Sequence, residues 1–169
     1  MILRKLLGNW LSETIGEKLE IVVEKVKKML NDADVDYELL EHEPVYTSDQ
    51  AARVRGVKLR SGVKALVLKT KLGQFILALV RADKRSDLKA IAKAHGTKKV
   101  KLASPAEVLE VTGCEIGSVP PFGHLKTLKT YMDKEILKEG EINFNIGSHA
   151  KSVKMKAGDL LNVIDAVVL

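Results

Sequence analysis

The spacing of hydrophobic residues predicts helices at the start of the chain. In residues 17–30 the apolar side chains recur every three or four positions and share one helical face: Leu19, Val22, Val23, Val26 and Leu30. The opening residues MILRKLLGNWLSE have the same spacing, which predicts an amphipathic helix. The chain shows no small-residue cleavage site after this segment and no run of about 20 apolar residues. We therefore expect neither a signal peptide nor a membrane span.

Short apolar runs in the rest of the chain predict strands. Residues 63–68 and 74–80 flank Lys71, Leu72 and Gly73, a pattern typical of a hairpin with buried strands. Further strands are predicted at residues 37–40, 99–102, 125–132, 142–145 and 153–155.

Capping residues predict the helices that lie between these strands. Ser48 is placed to begin one helix, and Ser86 is placed to begin another. Ser104, Pro105 and Glu107 match the capping box of a third helix, with proline at its first position.

The order of the predicted elements defines the expected fold. Strands and helices alternate, and residues 158–165 add a terminal helix, but several connections are too short for parallel crossovers. We therefore expect a mixed α/β (α+β) fold, with a curved, barrel-like mixed sheet flanked by helices. We expect residues 35–169 to form one domain, with residues 1–34 as an N-terminal helical extension packed on it.

The composition predicts a soluble globular protein of the cytoplasm. A chain of 169 residues can bury a core without disulfides. A single cysteine, Cys114, excludes an internal disulfide and suits a reducing compartment. The net charge of +6 favours a polyanionic partner such as nucleic acid. Basic residues cluster in the second half of the chain, at Lys84 and Arg85, at Lys98, Lys99 and Lys101, at Lys126 and Lys129, and at Lys151, Lys154 and Lys156.

The loop that runs from Thr112 to His124, TGCEIGSVPPFGH, is the most informative stretch of the chain. Its two adjacent prolines fix φ, and its glycines permit backbone geometries that other residues avoid. The loop is therefore stiff, and its peptide groups are free to face a ligand because prolines donate no sheet hydrogen bond. From these residues alone, a rigid turn and a ligand-binding loop are both open interpretations.

This loop, together with one lysine, resembles the YbaK/ProX-type aminoacyl-tRNA deacylases. These proteins edit mischarged tRNA, either free-standing or as domains of prolyl-tRNA synthetase. The shared loop has the form G-x-x-x-P, here Gly117-Ser118-Val119-Pro120-Pro121, and the shared lysine opens an apolar strand, here Lys64. Pro120 occupies a variable position of the motif, so it adds stiffness to the pattern. The resemblance covers residues 35–169.

The resemblance implies a trans-editing hydrolase that cleaves the ester bond of mischarged aminoacyl-tRNA, with alanyl- or cysteinyl-tRNA-Pro as the expected substrate. It implies no metal and no cofactor. The catalytic residues that it implies are Lys64 and Gly117, and the expected partners are the acceptor end of tRNA and an aminoacyl-tRNA synthetase. The residues expected to bind substrate are Thr47, Ser118, Val119, Pro120, Pro121, Phe122, Gly123, His124, Ser148 and His149.

Other interpretations remain open from the sequence. A non-catalytic tRNA-binding or synthetase-associated module of the same fold would have the same basic surface. A small-molecule hydrolase would use Cys114 as its nucleophile, although isolated cysteines are usually small buried hydrophobes. His124 and His149 either contact the ribose or satisfy backbone carbonyls, and Thr47 either lines the pocket or contributes only to helix capping.

Overall fold

The protein consists of helices packed around two β-sheets. The computed structural model describes residues 2–169, and the side chains of residues 12–169. The helices are α1 (Ile2–Asp32), α2 (Ser48–Arg55), α3 (Leu88–His95), α4 (Pro105–Thr112) and α5 (Leu160–Val163). The strands are β1 (Tyr37–Glu41), β2 (Val63–Thr70), β3 (Phe75–Arg81), β4 (Val100–Leu102), β5 (Lys129–Met132), β6 (Glu141–Asn145), β7 (Lys151–Lys156) and β8 (Ala166–Val168). Short 3₁₀ turns lie at Leu59–Ser61, Lys134–Lys138 and Ala157–Asp159.

The strands form a three-stranded sheet and a five-stranded sheet. The smaller sheet has the order β1-β7-β6 and is antiparallel throughout. The larger has the order β4-β2-β3-β5-β8, in which β5 runs parallel to both of its neighbours. A bridge between Gly62 and Asn143 connects the two sheets. The predicted mixed α/β fold is confirmed, with its strands divided between two sheets.

Both faces of the five-stranded sheet are buried at its centre. Leu77 and Leu79 face the main core, which lies between the sheets, whereas Ile76 and Ala78 pack on the opposite side with Ile91 of α3. This burial on both faces explains why β2 and β3 are nearly continuous apolar runs without a polar alternation. The β2–β3 hairpin is confirmed, with Val63 opposite Arg81.

Helix α1 belongs to the main core. The two helices predicted near the start of the chain are one continuous helix of 31 residues. Val22, Val26 and Leu30 are fully buried and contact the core cluster. The amphipathic face that was predicted for the opening residues involves side chains of residues 1–11, which lie outside the described side chains. In the described part of the chain, no helix is long and apolar enough to cross a membrane.

The helix caps match the predictions at one helix and differ by one residue at two others. The capping box of Ser104 and Glu107 at α4 is confirmed. Thr47, and not Ser48, caps α2, because its extended backbone lets its hydroxyl accept from the Gln50 amide. Asp87, and not Ser86, caps α3 and accepts two amide hydrogen bonds there.

Two predicted elements near the C-terminus are shorter than expected. Strand β5 begins at Lys129 and not at Leu125, because the amides of Leu125 and Lys126 donate to the last carbonyls of α4. The helix predicted over residues 158–165 is a 3₁₀ turn followed by the single turn of α5. Strand β8, which pairs with β5, was not predicted.

Candidate active site

A cavity of about 390 Å³ lies between α2, the first half of β2, β6 and the loop around Gly117. Small-molecule sites in proteins commonly have volumes of about 300–1,000 Å³. Most of the wall is apolar. The polar and charged side chains that line it are Tyr46, Thr47, Ser48, Arg55, Lys58, Lys64, Asn143 and Asn145.

The charged side chains of this lining are all basic. They are Arg55, Lys58 and Lys64, and none of the described lining residues is an aspartate or a glutamate. A concave surface lined by charges of one sign concentrates the electrostatic potential and attracts ions of the opposite sign. The cavity therefore suits a ligand that combines negative charge with a small apolar group.

Lys64 lies near the start of β2, opposite Val80 of β3. Its Nζ donates a hydrogen bond to the Lys84 carbonyl over a distance of 2.7 Å. The pKa of Lys64 is lowered from its ordinary value, mainly by burial. The charge of Asp83 opposes this shift, and the charge of Arg85 adds to it. The ammonium group is thus fixed to the turn that follows β3, at the wall of the cavity.

Gly117 also lines the cavity and has a φ of +87°, which favours glycine. A Cβ atom at this position would lie 3.4 Å from Cε1 of His149. The Gly117 carbonyl accepts a hydrogen bond from Nδ2 of Asn145 at 2.6 Å. The loop backbone is therefore held in one orientation at the cavity.

Two further residues expected to bind substrate, Thr47 and Val119, also line the cavity. Thr47 is the N-cap of α2 as well. It therefore both lines the cavity and caps the helix, the two roles between which the sequence left a choice. Lys64, Gly117, Thr47 and Val119 are thus brought together around one cavity, although they come from separate elements.

The remainder of the proline loop is buried behind the cavity and does not line it. Ser118 Oγ donates to the Glu115 carbonyl at 2.9 Å, and the Ser118 carbonyl accepts from the Gly147 amide at 2.9 Å. Phe122 packs edge-on against Phe144, with ring centroids 5.6 Å apart. The residues expected to bind substrate that the structure places here are Ser118, Pro120, Pro121, Phe122, Gly123 and His124.

His124 fixes this loop internally. Its Nε2 donates to the Pro120 carbonyl at 2.7 Å, while its own carbonyl accepts from Nζ of Lys25 on α1 at 2.5 Å. Burial lowers the pKa of His124 to about 4, the Pro120 hydrogen bond raises it, and the charge of Lys25 lowers it. His124 is therefore a neutral hydrogen-bond donor to the backbone at neutral pH.

Acid is expected to destabilise the protein through His124. Its pKa of about 4 in the folded protein lies below the ordinary 6.5, so the unfolded chain takes up the proton first as the pH falls. The contribution of His124 is present above pH 6.5 and is lost towards pH 4, at a cost of roughly 3 kcal/mol. Urea unfolding at several pH values should show a smaller acid loss for His124→Gln than for the native protein. Equal losses in the two proteins would contradict this assignment.

Ser148 and His149 lie next to the cavity but outside its lining. His149 Nδ1 donates to the Val45 carbonyl at 3.0 Å, and its ring packs against Tyr46 with centroids 4.6 Å apart. Its Nε2 is 3.3 Å from a carboxylate oxygen of Glu115. Ser148 Oγ accepts from the Ala150 amide. His149 thus contacts Tyr46, a residue that lines the cavity and is 68% exposed.

The sequence interpretation missed Arg55, Asn143 and Asn145. Arg55 Nη1 donates to Asn143 Oδ1 at 2.7 Å, and Nη2 donates to Asn145 Oδ1. The two asparagines are two residues apart in β6, and this spacing places them on one face of that strand. That spacing could have indicated a shared polar face on β6. Nothing local indicated that Arg55, some 90 residues earlier in the chain, would contact the asparagines.

Cys114 is fully buried and lies outside the cavity lining. Burial raises the pKa of its thiol to about 12, with a weaker opposing effect from its hydrogen bond to Thr112. A thiol in this state is a poor nucleophile. Across the described residues, no group of three or more His, Cys, Asp or Glu side chains is placed to hold a metal ion.

Comparison with known proteins agrees with this architecture. A family model described as the aminoacyl-tRNA editing domain matches residues 42–163. The multifunctional Ser/Thr-tRNA deacylase ProXp-y of Escherichia coli (strain K12) is 36% identical over 150 residues, which cover 86% of this chain and 90% of that protein. The prolyl-tRNA editing protein ProX of Acetoanaerobium sticklandii is 25% identical over 142 residues, covering 81% of this chain and 87% of that protein.

A solved structure supports the same relationship. It is described as a candidate trans-editing enzyme for prolyl-tRNA synthetase, and it superimposes with a TM-score of 0.77 at 28% identity. The alignment covers 88% of this chain and 94% of that one. The resemblance drawn from Lys64 and the Gly117 loop is confirmed: the chain belongs to the aminoacyl-tRNA editing domain family.

Proposed function

We propose that the protein is a deacylase that hydrolyses the ester bond between tRNA and a wrongly attached amino acid. The observation that carries the proposal is the cavity lined by Lys64 and Gly117, whose charged residues are all basic and whose walls are mainly apolar. The 3′ end of an aminoacyl-tRNA combines phosphates with a small acyl group, so it matches both properties. Membership of the editing domain family supports the same reaction.

In this proposal Lys64 binds the terminal phosphate or sugar of the tRNA. Its ammonium group is anchored to the Lys84 carbonyl at the cavity wall, where a phosphate can approach from solvent. The backbone of Gly117, which Asn145 holds in place, orients the ester across the cavity. Holding the reacting groups in one geometry is itself a large source of rate acceleration.

The proposed substrates carry small amino acids. A synthetase pocket separates side chains that differ by one methylene by only about 1–3 kcal/mol, so a second, size-limited site is needed to correct errors. The resemblance favours alanine or cysteine attached to tRNA-Pro. The name of the Escherichia coli relative supports serine and threonine as further candidates.

Unpaired basic residues support binding of the acceptor stem. Lys126, Lys151 and Lys154 each form an ion pair with a glutamate. Within the described side chains, none of the ion pairs involves the basic residues near Lys64 and β4, which are Lys84, Arg85, Lys98, Lys99 and Lys101. We propose that these residues contact tRNA phosphates and that an aminoacyl-tRNA synthetase, with prolyl-tRNA synthetase favoured, supplies the charged tRNA.

The proposed domain organisation assigns the reaction to residues 35–169, with residues 1–34 as a helical extension packed on that domain. The matched family region, residues 42–163, supports this division. The extension acts on the site through Lys25, which holds the carbonyl of His124 at the end of the proline loop.

The test is single-turnover deacylation by the native protein. tRNA-Pro charged with alanine, cysteine, serine, threonine or proline is incubated with excess protein, and each rate is compared with spontaneous hydrolysis of the same ester. We expect rapid hydrolysis of at least one of the four non-cognate esters and none of prolyl-tRNA-Pro. Tight tRNA binding without hydrolysis of any ester would instead identify a non-catalytic module.

A further inference from the structure

The guanidinium of Arg55 is a charged group in the cavity wall that has only neutral partners. Both of its hydrogen bonds go to the side-chain amides of Asn143 and Asn145. Among the described side chains, no carboxylate lies within ion-pair distance of it. The positive charge is therefore oriented by the protein but not neutralised by it.

Arg55 also retains unused hydrogen-bonding capacity. A guanidinium has five N–H donors, and its Nε is buried with no acceptor among the described residues. Burial lowers the pKa of Arg55 to about 10, so the side chain remains charged at neutral pH. A partly buried charge without a counterion is costly, and a ligand with a negative oxygen would offset that cost.

The position of Arg55 separates it from the two lysines of the cavity. Lys58 is exposed, and the ammonium of Lys64 is held at the turn after β3. Arg55 is instead connected to the Gly117 carbonyl through Asn145, which accepts from the guanidinium and donates to that carbonyl. The lysines suit the phosphates of a terminal nucleotide, which leaves Arg55, the cavity residue that joins α2 to β6, for the acyl group.

We propose that Arg55 binds the acyl oxygen of the aminoacyl group: first the carbonyl oxygen of the ester, then the oxyanion that forms from it, and finally the carboxylate of the released amino acid. This role rests on the deacylation proposed above. The oxygen of water forms a bond to the carbonyl carbon, and the π electron pair moves onto the carbonyl oxygen beside Arg55. When the carbonyl re-forms, the bond from carbon to the ribose oxygen breaks. One proton of the water ends on the ribose hydroxyl, and the other leaves to solvent as the acid ionises.

The variants that test this role are Arg55→Gln and Arg55→Lys, with Arg53→Gln as the matched control. Arg53 is exposed on the same helix and does not line the cavity. We expect Arg55→Gln to lower the saturated single-turnover rate on the order of 10²-fold, as for the loss of one oxyanion donor. Arg55→Lys should retain part of the rate, and Arg53→Gln should match the native protein. Added methylguanidine should restore part of the rate of Arg55→Gln, which a purely structural role would not predict.

Product binding gives a second measurement that does not depend on turnover. Calorimetry should show that L-alanine or L-serine binds the native protein, that the corresponding carboxamides do not, and that Arg55→Gln abolishes the binding. If Arg55→Gln does not fold by circular dichroism, Arg55→Lys supplies the same comparison, with weakened binding of the amino acid as the expected result.

Three outcomes would overturn the proposal. A native rate in Arg55→Gln would leave Arg55 as a link between α2 and β6. An unchanged saturated rate with weaker tRNA binding would make it a phosphate ligand. Equal calorimetric binding of amino acid by the native and Arg55→Gln proteins would exclude the carboxylate role. If the native protein hydrolyses no ester, the deacylase proposal fails, and calorimetry still decides whether Arg55 binds a carboxylate.

Discussion

Lys64→Ala is expected to reduce single-turnover deacylation by about 10²-fold or more, because the terminal nucleotide would lose the cation that positions it. The effect should appear in both the saturated rate and the apparent affinity for aminoacyl-tRNA. Stability should change little, since the hydrogen bond that is lost joins the lysine to the carbonyl of exposed Lys84. Rates and urea midpoints of the same preparations would measure both effects.

The matched control for this prediction is Lys71→Ala. Lys71 is exposed in the β2–β3 turn and lies outside the cavity lining, so its removal changes the net charge equally. Its deacylation rate should equal that of the native protein. A rate loss of the same size in both variants would show that overall charge, and not the position of Lys64, determines the activity.

Gly123→Ala is expected to destabilise the fold by about 3 kcal/mol. Gly123 has a φ of +83°, which costs an alanine roughly 1–2 kcal/mol. A Cβ atom there would lie 2.8 Å from Cγ2 and 3.1 Å from the backbone nitrogen of Val26 on α1. Because backbone atoms are involved, side-chain rotation cannot relieve the overlap, and overpacking adds about 1–3 kcal/mol. The free energy of unfolding, measured with urea, reports the sum.

Gly73→Ala separates the two parts of this cost. Gly73 has a nearly identical φ of +81°, but nothing lies within 4 Å of an added Cβ. Gly73→Ala should therefore lose only the roughly 1–2 kcal/mol of stability that an alanine costs at positive φ. The difference between the two variants in the free energy of unfolding measures the steric cost at the contact between the proline loop and α1. Equal losses of stability would mean that this contact is loose enough to accommodate an added methyl group.

The elements that could be predicted from sequence are those with local causes. The α4 capping box and the β2–β3 hairpin each depend on residues close together in the chain, and both are confirmed. The predicted caps of α2 and α3 each differ from the observed cap by one residue. Neighbouring polar residues offer equivalent side chains, and the backbone geometry determines which of them caps the helix. Strand β8 was missed because three residues are stable as a strand only when paired with β5.

The candidate site was predictable in part for the same reason. Lys64 and Gly117 were found through a short motif, and they do line one cavity. The burial of Phe122 and His124 could not be read from the loop, because it depends on packing against β6 and α1. Arg55 was missed because its asparagine partners lie in a distant strand.

The packing of α1 against glycines bears on how the protein opens and closes. Cβ atoms added at Gly113 and Gly147 would each lie 3.2 Å from a methyl carbon of Val22, and Gly123 meets Val26 in the same way. The loop around the cavity therefore follows the surface of a helix that precedes the matched family region, residues 42–163. Local opening of the loop and detachment of the helix should form one cooperative unit in amide hydrogen exchange. That cooperative unit would extend beyond the residues that the family model matches and into the helix that precedes them.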